Sequence, residues 1–422
     1  MLDFRQAPPL SIPLRFMLTA PLFGIAGAAL LLWGGADALQ SRWQPLALAA
    51  LHCFTAGFML QAMVGALWQV MPVVGGVVIA RQRLAAGASY LGLVLGATLL
   101  ALGLSAVPGA SPRMVTAGAT LLALAIGILI AVSLPGLVRS RLGTESGRLL
   151  ALALVGLGGT AIAGLVAAQA LFGATALDDV EALIDLHAIW ALAGWALPLV
   201  AAVALQFVPM FYMTEPYPRL ADVYLACLGA GLLLAAGGFI GQGWLMRAGA
   251  ALVAVAATGF AAVTLSRFAH RRRPRQDATS LGWQLAMTSL LAAVALLAVR
   301  MLGSSSSRAP AVEVAFGVFA VLGVFVTLIG AMLLRILPFL ASLHLAAAGG
   351  GWRLDGAPSE RWQQAQVWLQ FFAASTLALA AGAPELARTS AALLLASQVL
   401  LARNVWGYAW ALWRARRAVH QT

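Results

Sequence analysis

The sequence predicts an all-α integral membrane protein that crosses the bilayer twelve times, and three observations lead to this prediction. Of the 422 residues, 62% are hydrophobic and only 9% are charged, whereas a soluble domain carries about 25% charged residues. Apolar stretches of about 20 residues, the length that spans a hydrocarbon core, recur along nearly the whole chain. Arginines are concentrated in every second loop between these stretches, as expected if those loops share one side of the membrane.

The apolar stretches define twelve predicted helices in a single membrane domain, residues 1–422. The segment before the first helix has no small-residue cleavage site, so we expect this helix to remain in the membrane. Short polar breaks separate the later stretches, which leaves most of the backbone inside helices, where its polar groups bond to one another. The predicted spans are residues 17–36, 46–71, 88–108, 114–134, 149–172, 185–212, 220–239, 245–265, 281–302, 311–338, 365–383 and 389–410.

The arginines predict the orientation. Twelve spans place both termini on one side, and a cytoplasmic N-terminus puts 19 of the 26 basic residues, all of them arginine, in cytoplasmic segments. The positive-inside rule therefore predicts a bacterial inner (cytoplasmic) membrane protein with both termini in the cytoplasm. The densest cluster, residues 267–276, is interpreted as a topology signal, with contact to anionic lipid head groups as the alternative. Because the charge lies in short loops, the lipid bilayer and no nucleic acid is the expected partner.

A motif recurs on the second, sixth and tenth spans. The second and sixth spans begin their motif with a histidine, continue to a glycine and end in Gln-x-x-Pro, and the tenth ends in Arg-x-x-Pro. The residues concerned are His52, Gly57, Gln69 and Pro72; His187, Gly194, Gln206 and Pro209; and Arg335 and Pro338. Each proline is separated from the next by four spans. We therefore predict three pseudo-repeated groups of four helices, approximately residues 1–108, 114–239 and 245–410, with motif helices at 46–72, 185–212 and 311–338. Chance similarity among alanine- and leucine-rich helices is the alternative.

This arrangement resembles subunit I of the heme–copper oxidase and nitric oxide reductase superfamily. The second span carries the closest likeness. From His52 through Gly-Ala-Leu-Trp at 65–68 to Pro72, it is similar to the nitric oxide reductase helix whose histidine ligates a low-spin heme b. The resemblance implies an oxidase-like fold with His52 as an axial heme ligand.

The sequence departs from this family at the catalytic centre. Catalytic members have heme-ligating histidines on the tenth span and adjacent metal-ligating histidines on the seventh. Residues 311–338 and 220–239 of this sequence contain no histidine. The family's ligands for a dinuclear centre that reduces oxygen or nitric oxide are therefore missing, so we expect no functional terminal oxidase or nitric oxide reductase. Whether the protein is an enzyme stays open.

The two histidines within spans predict a cofactor site, because a histidine inside hydrocarbon is costly unless it is paired or ligating. Neutral imidazole ligates heme iron and copper alike. Trp190 and Gly194 follow His187 by three and seven residues, which places an aromatic and a small residue on its helical face, where heme b could pack. The alternative for each histidine is a packed imidazole bonded to a neighbouring carbonyl.

Copper is the second cofactor that the sequence allows. Met59 and Met63 lie seven and eleven residues after His52, again on one helical face. Thioethers combined with imidazole suit Cu(I). Methionines that fill gaps in the core are the competing interpretation.

A polar ring is the last predicted feature of the repeats. Gln69, Gln206 and Arg335 would form it near the cytoplasmic face, unless Arg335 simply extends to the membrane interface from an ordinary helix end.

The predicted function is a heme-binding, oxidase-like membrane protein without a dinuclear centre, acting with a redox partner in electron transfer, heme handling or gas sensing. The alternative is a transporter or chaperone for copper or a small solute, with a metal donor as partner.

Overall fold

The computed structural model describes residues 8–73, 76–77, 79, 81–173, 177–218, 221–272, 276–303, 309–347, 354 and 356–419. Helices dominate these residues, and no strand occurs among them. The predicted all-α class is therefore confirmed for the described part of the chain. We number the long helices α1 Ser11–Gly34, α2 Pro45–Val73, α3 Gln82–Leu104, α4 Pro112–Arg141, α5 Glu145–Phe172, α6 Val180–Tyr212, α7 Ala221–Ile240, α8 Gly243–Ala269, α9 Ala278–Leu302, α10 Pro310–Leu345, α11 Glu360–Ala380 and α12 Ala387–Val419.

Eleven of these twelve described helices are long and apolar enough to cross a membrane, and α11 is the exception. The twelve predicted spans therefore correspond to twelve described helices, of which eleven have the predicted apolar character. The predicted eleventh span does form a helix, but its buried face carries Gln363, Gln366 and Gln370, which lower its hydropathy. Many large apolar side chains on the other helices, Leu84 and Leu233 among them, are exposed and need a hydrocarbon environment. The predicted bilayer partner is supported to this extent.

The chain divides into two compact units. The terminal unit comprises Pro8–Trp68, Arg275–Ser289 and Pro310–Thr422, and so contains α1, most of α2, the start of α9 and all of α10, α11 and α12. The central unit comprises Gln69–Pro274 and Leu290–Ala309, and so contains the end of α2, the rest of α9 and helices α3 to α8.

Three of the described helices contain a π-helical segment. These segments are Cys53–Met59 in α2, Trp190–Ala196 in α6 and Phe319–Val326 in α10. π-Helical turns are rare and occur frequently at functional sites. In each helix, the same number of residues separates the first residue of the π-helical segment from a later proline. The fifth residue of each segment is a glycine. The prolines are Pro72, Pro209 and Pro338, and the glycines are Gly57, Gly194 and Gly323.

Pro72 and Pro209 lie within the last turn of their helices, whereas Pro338 does not end its helix. Each lies inside the helix, and α10 continues for about two turns beyond Pro338. A proline inside a helix removes one backbone hydrogen bond, a loss that membrane helices tolerate where neighbouring groups satisfy the freed carbonyl.

Candidate functional site

His52 is the last residue of the first α-helical part of α2 and directly precedes the π-helical segment. Its side chain is half-buried, and its Nδ1 atom lies 2.8 Å from the backbone oxygen of Leu48, one turn earlier. Because a carbonyl oxygen only accepts hydrogen bonds, Nδ1 carries the proton and Nε2 keeps its lone pair. A metal-ligating histidine has the same arrangement, with one nitrogen fixed on a carbonyl and the other available to the metal.

His187 has the same tautomer but a different anchor. It lies in the central unit, on the first part of α6, and its Nδ1 atom lies 3.0 Å from the backbone oxygen of Thr160 in α5. A glycine on α5 makes room for the ring, because a Cβ atom at Gly164 would lie 2.8 Å from His187 Cε1. The orientation of this imidazole therefore depends on the contact between α5 and α6.

The two histidines do not share one repeat position. His52 directly precedes the first residue of its π-helical segment, whereas two further residues separate His187 from the start of its own segment. Counted back from the prolines, the position of His52 corresponds to Ile189 on α6 and to Val318 on α10. Each histidine is therefore a separate candidate ligand.

Trp190 and Gly194, the residues predicted to face a heme beside His187, pack against α5. A Cβ atom at Gly159 would lie 2.0 Å from Trp190 Cε3, and one at Gly156 would lie 2.0 Å from the backbone oxygen of Gly194. Such distances mean that only glycine allows this close approach of the two helices. This face of α6 is thus covered by another helix, and a flat macrocycle has no space on it at this level.

The sulfur atoms proposed for copper lie away from His52 along the helix. Met59 and Met63 are both buried in the terminal unit. Seven helical residues correspond to about 10 Å along the axis, so His52 and Met59 do not form a compact ligand set. Within the described residues, no group of three or more His, Cys, Asp or Glu side chains is arranged to hold a metal ion.

The three polar residues near the prolines have different surroundings. Gln69 is buried, and Gln206 is exposed. Arg335 forms an ion pair with Asp277 at the start of α9, and its Nη2 atom also donates to Thr279 Oγ1 at 2.9 Å. The three residues of the predicted ring therefore lie in different environments. Arg335 does not merely extend to the membrane interface, because it forms an ion pair with the carboxylate of Asp277.

Asp277 links this ion pair to the N-terminus of α9. Its carboxylate accepts hydrogen bonds from the backbone NH of Ser280 at 2.8 Å and from the hydroxyl of Thr279 at 2.9 Å. Burial by itself would raise the pKa of Asp277, but these hydrogen bonds and the charge of Arg335 outweigh it and hold the pKa below its ordinary value. Asp277 is therefore ionised at neutral pH.

A buried amide cluster is the feature that the sequence-based prediction missed. It occupies the interface of α11 and α12 in the terminal unit, and its central residue is Gln370. Gln370 Oε1 accepts from Ser397 Oγ at 3.0 Å and from Gln398 Nε2 at 2.7 Å. Gln366 Nε2 donates to Ser397 Oγ at 3.3 Å, which extends the cluster by one turn. The amide cluster consists of Gln366, Gln370, Ser397 and Gln398, all buried.

The amide cluster also reaches the π-helical segment of α10. The backbone oxygen of Leu322 accepts hydrogen bonds from Gln370 Nε2 at 3.2 Å and from Thr327 Oγ1 at 2.9 Å. Within the described part of the chain, Gln366 Oε1 and Gln398 Oε1 are buried and have no hydrogen-bond partner. The cluster thus combines satisfied amides with two carbonyl oxygens that could still accept a hydrogen bond. The sequence signal was the spacing of Gln363, Gln366 and Gln370, which places three amides on one face of an otherwise apolar helix.

Gln61 is a further buried amide in the terminal unit. It is fully buried on α2, and neither its Oε1 nor its Nε2 atom has a hydrogen-bond partner among the described residues. Gly57 and Gly65, one turn before and one turn after it, both approach α1 closely. Gln61 therefore lies on the side of α2 that packs against α1.

Comparison of the chain with protein-family models and with curated proteins gives no match. The resemblance to oxidase subunits therefore depends on the predicted arrangement of spans and on the motif helices.

Proposed function

We propose that this protein is a heme-binding, oxidase-like protein of a bacterial inner membrane, with both termini in the cytoplasm and no dinuclear centre. It would act in electron transfer, heme handling or gas sensing. The observation that carries the proposal is the state of His52, whose Nδ1 atom is fixed on the Leu48 carbonyl while Nε2 keeps its lone pair. An imidazole in this tautomer has a nitrogen with which histidine can ligate heme iron.

The residues present fit a heme at His52 better than at His187. The helical face beside His187 packs on α5 through Trp190 and Gly194, which leaves His52 as the favoured ligand. His52 would hold the iron and fix its position along α2. The heme, when bound, supplies one-electron or gas-binding chemistry.

The repeated spacing of the π-helical segments supports the proposed three groups of four helices. Chance likeness among alanine-rich helices gives no reason for three such segments to share one separation from a following proline and to have a glycine at the same position. The spacing also explains why no second heme ligand is expected from α10, because the position that corresponds to His52 is Val318 there.

The proposal is tested by the absorption spectrum of the purified protein. We expect a Soret band that shifts on reduction with dithionite. His52→Ala should remove most of this band from a folded, membrane-inserted protein, because it removes the protein ligand of the iron. His270→Ala is the matched control, because His270 is exposed at the end of α8 and should leave the band unchanged. A Soret band that survives in the His52 variant, or a colourless unmutated protein, would refute the assignment of His52.

Transport of a small solute is the second candidate, and the amide cluster is the observation that favours it. Two buried carbonyl oxygens of this cluster, Gln366 Oε1 and Gln398 Oε1, lack partners in the described part of the chain. A buried acceptor without a partner is costly unless a bound molecule satisfies it. A protein that is colourless and contains no iron after purification would favour this candidate. A colourless protein with bound copper would instead favour copper handling through Met59 and Met63.

A further inference from the structure

One side of the C-terminal half of α12 carries only arginine and tryptophan among its long side chains. These residues follow one another at helical spacing, so they lie on one face. We call this the basic aromatic face, and it consists of Arg403, Trp406, Trp410, Trp413, Arg414 and Arg417. The three tryptophans are 42%, 55% and 41% exposed, although tryptophan offers the largest apolar area of any side chain. The opposite face of α12 is buried in the terminal unit through Val405, Tyr408 and Leu412.

The guanidinium groups on this face lie against aromatic rings. The Cζ atom of Arg417 lies 3.8 Å from the ring centroid of Trp413, and that of Arg414 lies 6.0 Å from Trp410. Arg403 stacks in the same way on Trp362 of α11, at 4.7 Å. The rings of Trp410 and Trp413 are themselves stacked, with centroids 4.7 Å apart. The arginines are therefore held in place without being neutralised.

No carboxylate neutralises them either. Within the described residues, the ion pairs involve other arginines, and Arg403, Arg414, Arg416 and Arg417 take part in none. The side chains of Arg403, Arg414, Arg416 and Arg417 are all exposed. Within the described residues, these guanidinium groups therefore carry unbalanced positive charge, which is complementary to an anionic partner.

The length of α12 places this face at the surface of the membrane. Its 33 residues extend about 50 Å at 1.5 Å per residue, whereas the hydrocarbon core is about 30 Å thick. Part of α12 must therefore leave the hydrocarbon region, and the last turns are the most polar part of the helix because they contain Arg414, Arg416 and Arg417 beside Trp410 and Trp413. Tryptophan is enriched at the level of the lipid head groups, and arginine donates paired hydrogen bonds to phosphate.

We infer that the basic aromatic face binds the phosphate groups of anionic phospholipids. The exposed indoles would lie among the glycerol and upper acyl regions, and Arg414 and Arg417 would contact the head-group phosphate. The indole of Trp406 fixes the face relative to α1, because its Nε1 atom donates to the backbone oxygen of Leu18 at 3.1 Å. This site does not depend on heme binding.

The test compares two double variants of equal charge change. The purified protein is placed in nanodiscs that contain equal parts of phosphatidylglycerol and phosphatidylcholine, and the lipids that it retains after transfer to detergent are counted by native mass spectrometry. We expect the unmutated protein to retain phosphatidylglycerol several-fold over phosphatidylcholine. R414Q with R417Q should lose most of this preference. R113Q with R247Q is the control, because both of these arginines are exposed and lie on other helices, and it should retain the preference.

Two outcomes would overturn the inference. One is a retained-lipid ratio near one for the unmutated protein, and the other is an equal loss of preference in both double variants, which would reflect net charge alone. R414K with R417K separates a phosphate contact from general attraction. Lysine keeps the charge but cannot form the paired hydrogen bonds of a guanidinium group, so we expect an intermediate ratio for this variant.

Discussion

The α3–α4 interface in the central unit depends mainly on close backbone packing, with one hydrogen bond from Ser89 Oγ to the Ala125 oxygen at 3.2 Å, whereas the α11–α12 interface in the terminal unit contains a cluster of buried amides. Between α3 and α4 the backbones touch, because a Cβ atom at Gly118 would lie 2.6 Å from the Leu100 nitrogen and one at Gly96 would lie 3.0 Å from the Gly118 oxygen. Between α11 and α12, hydrogen bonds between the buried side chains of Gln366, Ser397 and Gln370 connect the helices.

This difference shows how helices associate where water supplies no hydrophobic driving force. In lipid, association depends on van der Waals packing of small residues and on hydrogen bonds between helices. In the central unit, small residues also pack closely between α7 and α8, where a Cβ atom at Gly249 would lie 2.5 Å from the Gly231 oxygen. The terminal unit makes greater use of hydrogen bonds between side chains, and its interior consequently contains buried amide atoms that can bind other molecules.

The largest expected effect comes from filling the α3–α4 contact. Gly118→Leu should abolish the folded protein or lower its melting temperature by more than about 10 °C, because the new Cβ atom would overlap backbone that cannot move without separating the helices. Fluorescence-detected size-exclusion chromatography after heating measures this. Gly127→Leu is the control on the same helix, since a Cβ atom there meets nothing within 4 Å, and it should behave like the unmutated protein. Equal tolerance of both variants would show that the close packing is unimportant.

A smaller effect is expected from removing the central amide. Gln370→Leu should lower the free energy of unfolding by about 1–3 kcal/mol, because it leaves buried groups on Leu322, Ser397 and Gln398 with fewer partners. Gln61→Leu is the matched comparison and should be neutral or stabilising, because neither amide atom of Gln61 has a partner in the described residues. Denaturant unfolding in detergent measures both. A stabilised Gln370 variant would show that the amide cluster is not a structural link.

The smallest expected effect is a pH dependence of the terminal unit. The pKa of Asp277 is lowered in the folded protein, so its contribution is fully present above the unfolded value of about 3.9 and is lost as the pH falls through the lower folded value. The melting temperature of the unmutated protein should therefore decrease below about pH 4, and Asp277→Asn should decrease less over the same range. Asp222→Asn is the control, because Asp222 is largely exposed in its pair with Arg148. An unchanged pH profile in the Asp277 variant would rule out this carboxyl group.

The sequence predicted the helical class and most helix positions because both depend on local composition. Hydropathy identifies Pro112–Arg141 or Gly243–Ala269 without any knowledge of the neighbouring helices. The same criterion fails for α11, because its glutamines are buried against α12 and not exposed to lipid. Which polar residues have a partner is decided by tertiary packing, and hydropathy does not contain this information.

The candidate site was predicted less completely than the fold. His52 and His187 were found because histidine within an apolar span is unusual, but their anchors at Leu48 and Thr160 depend on geometry. The pair formed by Asp277 and Arg335 joins residues 58 positions apart, a contact that no local pattern indicates. Trp190 and Gly194 show the opposite error, because helical spacing put them on one face but could not tell that α5 covers this face.

The π-helical segment of α2 has a consequence for the direction in which His52 points. A π-helical turn contains one residue more than the α-helical turn that it replaces, and each residue of an α-helix advances the rotation by about 100°. The residues on either side of Cys53–Met59 are therefore offset in rotation, and the imidazole faces a different direction from the one that an uninterrupted helix would give it. Converting this segment to a regular α-helix of the same number of residues would turn His52 by about a quarter of a revolution relative to Gln61, without altering the chemistry of either side chain.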